Sequence, residues 1–269
     1  MLFLKLAASA LKIWQPPTTT HKNISYGKHP EQTLDAYLLS DGAFHPAIVF
    51  IHGGGWQEGD KFVYEGRAKK WNAAGFHVFA LNYRLAKMND TATQWPAQLT
   101  DCQSALTWLW KNAQALKFFT HKTAVAGDSA GAHLAMSLSA AHCSLIIPAA
   151  VLNMFGPSDL TRPPFPDLLK SLAIFGGKTY ADCPLLYKNA SPLYSITHTF
   201  PPTCSIHGTA DATVPITQAY ALHARLSNMK VPNKLLTYDG GHEFADLSLF
   251  AQFNLEMQSI IQISEFLGV

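Results

Sequence analysis

The stretch Thr123-Ala124-Val125-Ala126-Gly127-Asp128-Ser129-Ala130-Gly131 constrains this chain more than any other. A short apolar run ends at Gly127, and a helical pattern of small residues starts at Gly131. Between them stands one serine, with glycine two residues away on each side. This is G-x-S-x-G in the strand, sharp turn and helix setting that gives the pattern meaning. Such a turn puts Ser129 in a strained backbone conformation. A side chain at 127 or 131 would collide with the neighbouring strand or helix, so both positions need glycine. The turn lifts the Ser129 hydroxyl above the sheet edge. It also aims the N-terminus of the next helix, where negative charge is favoured, at the same place.

A strand of this kind needs a sheet to belong to. Ile24–Tyr26 and Leu34–Leu39 read as short strands at the sheet margin. Ala47–His52, Phe76–Asn82, Thr123–Ala126, Ala149–Met154 and Thr203–His207 are apolar runs of the type buried on both faces, and Lys234–Tyr238 is a last strand. Helices are expected between them: Asp60 as N-cap of one through Trp71 that stops at Gly75, Pro96–Leu116, Gly131–Cys143, Thr217–Asn228 and Ser248–Leu267. Leu99, Cys102, Leu106 and Leu109 mark the core face of the second. Strands alternating with helices predict an α/β fold, a mostly parallel sheet with helices on both faces. Residues 155–202 break the rhythm. They are proline-rich, with one expected helix at Asp167–Phe175 ended by Gly176-Gly177, and read as a small cap-like insertion over the site.

The 269 residues suit a single domain, 1–269, and 48% hydrophobic residues are enough to bury a large core. Only 14% are charged, which argues against disorder. The net charge of +2 comes with no basic block, so nothing points to nucleic acid, and no apolar run is long enough for a membrane span. Residues 1–20 read as an N-terminal lead-in, an amphipathic helix stopped by Pro16-Pro17. Ala8-Ser9-Ala10 resembles a cleavage site, but Lys5 interrupts a run already short for a signal peptide. Cys102, Cys143, Cys183 and Cys204 show no metal-ligand spacing and read as free thiols in a reducing compartment. A cytoplasmic location is favoured, and a secreted or periplasmic one would follow if the N-terminus were a signal peptide. No metal or organic cofactor is implied.

Ligands of such sheets gather beyond the carboxyl ends of the strands. Four expected strands end in special tips: His52-Gly53-Gly54-Gly55, Gly127-Asp128-Ser129, His207-Gly208-Thr209-Ala210-Asp211 and Asp239-Gly240-Gly241-His242. They supply serine, acid and histidine in the chain order expected on this fold. Ser129 needs a base, and His242 is the candidate. Asp211 would fix the imidazole tautomer and stabilise the imidazolium. The N–H groups of Gly53, Gly54 and Ala130 would hold an oxyanion. Trp56, Phe155 and Phe244 stand where they could crowd the substrate pocket. Of the other polar residues, His207 reads as a satisfied core histidine, and His133 as a holder of the elbow helix. His52 is expected to pin its loop, Asp128 to point away from the base, and Asp246 to cap the closing helix. Asp239, in the same turn as His242, is the remaining rival for the acid.

These motifs together resemble α/β-hydrolases of the carboxylesterase group that includes the hormone-sensitive-lipase-like and acetyl-xylan and feruloyl-esterase-like enzymes. The matching residues are His52-Gly53-Gly54-Gly55-Trp56, Asn82-Tyr83-Arg84, Gly127–Gly131, His207–Pro215 around Asp211, and Gly241-His242. The short lead-in resembles the small-cap branch. That branch also includes kynurenine formamidases, which typically carry H-G-G-Y-W where this chain has glycine at 55. The resemblance implies a serine esterase acting on small-molecule, short-chain acyl esters through an acyl-enzyme. A formamidase is the alternative, and a catalytically silent small-molecule-binding protein on the same fold is a further one.

Overall fold

A computed structural model describes residues 16–140, 146–162, 173–244 and 246–269. Eight strands form one sheet in the order β1-β2-β4-β3-β5-β6-β7-β8. They are β1 (Thr18–Ser25), β2 (Thr33–Leu39), β3 (His45–Ile51), β4 (His77–Leu81), β5 (Phe118–Asp128), β6 (Ala150–Met154), β7 (Thr203–Gly208) and β8 (Asn233–Tyr238). β1 and β2 pair antiparallel, as do β2 and β4, and every other neighbouring pair is parallel.

The period-2 geometry of the strands sends alternate side chains to opposite faces. Val49, Ile51, Val125 and Val151 join one apolar core, which α2 (Ala97–Leu116), α3 (Ala130–Ala140) and α5 (Thr217–Asn228) cover. Ile48, Phe50, Ala126 and Leu152 join the other, beneath α1 (Glu65–Ala73) and α6 (Leu249–Leu267). Central strands buried on both faces explain why the sequence reads there as unbroken apolar runs. Every residue of α3 is buried, and its Ala, Ser and Gly content lets it lie close against the sheet.

Several boundaries differ from the sequence reading. β5 starts at Phe118, where that residue pairs with His45, and the polar Thr120–Lys122 hid its first half. Asp60 caps a 3₁₀ turn, Lys61–Tyr64, by accepting from the Phe62 N–H, and α1 follows that turn. Ser248 caps α6 by accepting from the Ala251 N–H. Thr18–Thr20 of the expected lead-in already belong to β1, and the rest of its helix lies outside the described residues. Cys143 and most of the Asp167–Phe175 helix also lie outside them. Within 155–202, α4 (Pro184–Asn189) and the turn Pro192–Ser195 are described. This segment meets α3 through Ala190, whose carbonyl accepts from His133 Nε2 at 2.7 Å. Cys102 and Cys204 are buried free thiols, and Cys183 is half-buried.

Register fixes where the loops emerge. Ile51 pairs with Gly127, Gly127 with Asn153, and Asn153 with Ser205, so one row crosses four strands. Gly53, Ser129, Phe155 and Asp211 all lie just past that row, at the carboxyl ends. Among the described residues, no helix is long and apolar enough to cross a membrane.

Candidate active site

Ser129 sits between β5 and α3 with φ 50°, a left-handed value that costs a non-glycine residue energy. Its N–H donates to Met154 O at 2.9 Å, and its carbonyl accepts from His133 N at 3.0 Å, which starts the helix. A Cβ on Gly127 would stand 2.3 Å from the Gly131 carbonyl carbon. One on Gly131 would stand 1.9 Å from Ile51 O. The elbow therefore packs main chain against main chain on both sides. Ala130 opens α3, so its N–H belongs to the first turn, where helical donors have no intrahelical partner.

His242 and Asp211 are joined. His242 Nδ1 donates to Asp211 Oδ2 at 2.7 Å, which leaves Nε2 as the acceptor nitrogen of a neutral ring. Asp211 Oδ1 accepts from the N–H groups of Thr213 at 2.9 Å and Val214 at 2.8 Å. Burial alone would raise the Asp211 pKa. The hydrogen bonds from His207, His242 and Val214 outweigh burial and hold the carboxyl well below the usual range. His207 Nε2 donates to Val214 O at 2.7 Å and lies 3.5 Å from Asp211 Oδ2. Its Nδ1 is buried without a partner, so His207 is only half satisfied, contrary to the sequence reading.

Phe155 ties the serine to the histidine. Its own N–H binds Ile206 O, and the residue before it accepts from Ser129 N. The His242 ring packs edge-on against the Phe155 ring, with centroids 4.7 Å apart. Among the described residues no hydrogen bond joins the Ser129 hydroxyl to His242, a contact that commonly tightens only when substrate is bound. The loop after the histidine is strained, with Glu243 at φ 64° and Phe244 at φ 60°. Trp56 and Phe155 also have positive φ, so five of the eight such non-glycine residues described lie around this site. Asp246 does not cap α6. Its Oδ2 accepts from the Gly241 N–H at 2.8 Å and so holds the chain just before His242.

The loop after β3 completes the arrangement. His52 Nδ1 donates to Gly53 O at 2.8 Å, pinning the loop as its sequence position suggests. Gly54 has φ +97°, and its carbonyl accepts from the N–H groups of Gln57 and Glu58, both at 3.0 Å. A Cβ on Gly53 would stand 2.4 Å from Asp128 Oδ2, so the loop touches the elbow directly. Asp128 accepts from the Tyr64 hydroxyl, while the hydrogen bond of His242 Nδ1 goes to Asp211. Burial first, and then the Asp128 carboxyl, push the Tyr64 pKa well above the ordinary tyrosine range, so the phenol stays a donor.

Gly53, Gly54, Phe155 and Phe244 line a cavity of about 340 Å³. Trp56 does not. It is 4% exposed, belongs to the core under α3, and its indole N–H donates to His133 Nδ1 at 3.2 Å. The sequence reading missed Asp60, Tyr64, Arg67 and Glu243, which also line the cavity. Tyr64 and Arg67 carry no local signal, since a helical face looks the same in sequence whether it meets a core or a cavity. Among the described residues, no group of three or more His, Cys, Asp and Glu side chains is arranged to hold a metal ion.

The chain is 27% identical over 226 residues to Esterase LipC of Mycobacterium tuberculosis, an alignment covering 76% of this chain and 54% of that one. The kynurenine formamidase of Meyerozyma guilliermondii is 31% identical over 122 residues, covering 45% of this chain and 43% of its own. This chain thus spans about half the length of these curated relatives. A solved structure described as a truncated form of a carbohydrate esterase from gut microbiota superposes with a TM-score of 0.78 at 21% identity. That match covers 93% of this chain and 100% of that one, and it shows the fold. The family model described as BD-FAE matches residues 34–226, so this chain belongs to the BD-FAE family and has the α/β-hydrolase fold.

Proposed function

We propose that the protein is a serine carboxylesterase acting on short-chain acyl esters through an acyl-enzyme. The observation that carries this reading is the 2.7 Å hydrogen bond between His242 and Asp211, set at the strand ends beside a serine held at positive φ. In this mechanism Ser129 Oγ attacks the ester carbonyl while His242 Nε2 takes its proton. The N–H groups of Ala130, Gly53 and Gly54 receive the oxyanion. His242 returns the proton to the departing alkoxide, which leaves as the alcohol. Water then repeats the two steps on the acyl-serine and releases the acid. Asp211 keeps the imidazole in the tautomer that makes Nε2 the base. The esterase names among the relatives support the same reaction class.

A formamide is the second substrate class, favoured by the 31% identity to a kynurenine formamidase. The same serine chemistry would cleave an N-formyl group and release an amine in place of an alcohol. Parallel assays with nitrophenyl acetate and N-formylkynurenine separate the two readings. Ser129→Ala should abolish whichever activity is found, lowering it by at least about a thousandfold. A variant that kept more than about a tenth of the wild-type rate would exclude Ser129 as nucleophile.

A further inference from the structure

A second cavity, of about 260 Å³, lies beside the first, and the two share Val63, Arg67 and Phe244 in their walls. The second continues toward Lys70, Gln252 and Ser259, away from the oxyanion loop. Arg67 is held in place from three directions. Its Nε lies 3.2 Å from Glu256 Oε1 of α6. Its Nη1 touches the Met154 sulfur, in the residue whose carbonyl receives the Ser129 N–H. Its guanidinium stands 5.9 Å over the Phe244 ring. Glu256 is itself fixed by Lys70 Nζ at 2.6 Å.

We infer that the Arg67 side chain is a closed gate between the two cavities and limits how long a substrate chain the site accepts. Ser129, Asp211 and His242 do not themselves line the first cavity, which reaches them through Asp128 and Glu243, the chain neighbours of Ser129 and His242. A substrate chain running from the serine into it meets the guanidinium, and beyond lies a volume the chain could use only if Arg67 were gone. The three contacts oppose any swing of the guanidinium, and buried Glu256 resists losing its partners. Truncating Arg67 leaves Glu256 Oε2 with Lys70 Nζ but takes from buried Oε1 the one partner described for it, so the variant's melt is read beside its kinetics. The inference rests on the esterase reading for its kinetic readout only.

The test compares the wild type with Arg67→Ala and Arg67→Met on two ester series. One series lengthens the acyl chain of nitrophenyl esters from acetate to octanoate, and the other lengthens the alcohol of alkyl acetates from methyl to octyl. In one series the Arg67→Ala long-to-short ratio of kcat/KM should rise at least about tenfold, which also shows which half of the ester faces the gate. Arg67→Met, whose unbranched chain refills the space, should stay within about threefold of wild type. A folded Arg67→Ala protein with both ratios unmoved overturns the gate. Should Arg67→Ala lose its cooperative melt, Glu256→Gln, which removes the charge pinning Arg67, must raise the same ratio, and an unmoved ratio there also overturns it. Calorimetric titration of Ser129→Ala with octan-1-ol, with and without Arg67→Ala, reads the gate without turnover. There the added change should tighten binding at least about tenfold, and equal binding overturns the gate. A wild type that cleaves no ester in either series removes the esterase reading and leaves this titration to decide the gate.

Discussion

The indole N–H of Trp56 donates to Nδ1 of His133 across 3.2 Å. An indole can only donate, so Nδ1 is the acceptor and the ring proton sits on Nε2, which donates to Ala190 O at 2.7 Å. Both nitrogens of this buried, neutral ring are used. It links the loop after β3, the elbow helix and the 155–202 segment. A second proton would have to enter at Nδ1, facing another donor.

That arrangement sets a pH dependence of stability. Burial pushes the His133 pKa down to about 4, while an unfolded histidine titrates near 6.5. Between those values the unfolded chain binds the extra proton and the folded chain does not. The contribution is therefore fully present above about pH 6.5 and is lost as pH falls toward 4, at up to about 1.4 kcal/mol per unit. Burial also pushes His77 to about 4 and lowers His52, with the same sign. Urea melts at pH 5 and pH 7.5 should show clear destabilisation at the lower pH. His133→Gln should be less stable at pH 7.5 yet lose about one proton from the slope. An unchanged slope would refute the assignment.

Asp211 titrates in a different window. Its folded pKa is depressed, so its contribution is present above the unfolded carboxylate value of about 3.9 and lost only as pH falls below that. Activity lost on mild acidification therefore belongs to another group. Asp211→Asn should lower kcat by ~10³ to 10⁴ by favouring the wrong imidazole tautomer, and should flatten the acid-unfolding limb below about pH 4. Asp239, which accepts from Thr209 Oγ1 at 3.5 Å, should tolerate the same change. A larger loss from Asp239→Asn than from Asp211→Asn would reassign the acid.

Asp246 offers a test of loop positioning. It is exposed, and its one described hydrogen bond is the 2.8 Å acceptor contact to Gly241 N, next to His242. Asp246→Ala should lower kcat about three- to thirtyfold with KM and the melting temperature little changed, since it loosens the His242 loop without touching the core. A variant with unaltered kcat would show that the two strained residues after His242 hold the loop unaided.

The cavity walls set an expected chain-length profile. Phe155 and Phe244 pack edge to face with centroids 5.0 Å apart, and Arg67 lines the same cavity. Each methylene that fits adds at most about 0.8 kcal/mol of burial, so exclusion decides. On nitrophenyl esters kcat/KM should be highest from acetate to butyrate and fall at least about tenfold by octanoate. No jump in rate is expected above the substrate's solubility limit. A maximum at octanoate or longer would mean an extended acyl tunnel and the lipase-like reading in its place.

The strand tips were legible because their chemistry is local. Gly127, Gly131, His52 and Asp211 each stand within a few residues of a buried apolar run, His242 follows the mostly half-buried edge strand β8, and the sheet aligns those strands. The first half of β5 was not legible, since a strand paired through its backbone needs no apolar pattern. Trp56 was misplaced because position along the chain does not say which way a residue at φ 62° turns its ring. Asp246 looked like a cap from its distance to α6, but its loop folds back and Ser248 takes that role. The cavity walls bring Tyr64 and Arg67, one turn apart, against Glu243 from the far end of the chain, and no local pattern joins the two ends.

At Gly131 a Cβ would meet Ile51 O, and at Gly208, just before the loop to Asp211, one would meet Gly240 O at 2.3 Å. Both contacts are between backbones, so at these two points the frame that presents Ser129, Asp211 and His242 rests on main chain against main chain. Val63 and Arg67 are fittings on that frame. They can be exchanged one at a time, changing what the cavity admits without retooling its mount, whereas a single methyl group at either glycine would dislodge the mount itself.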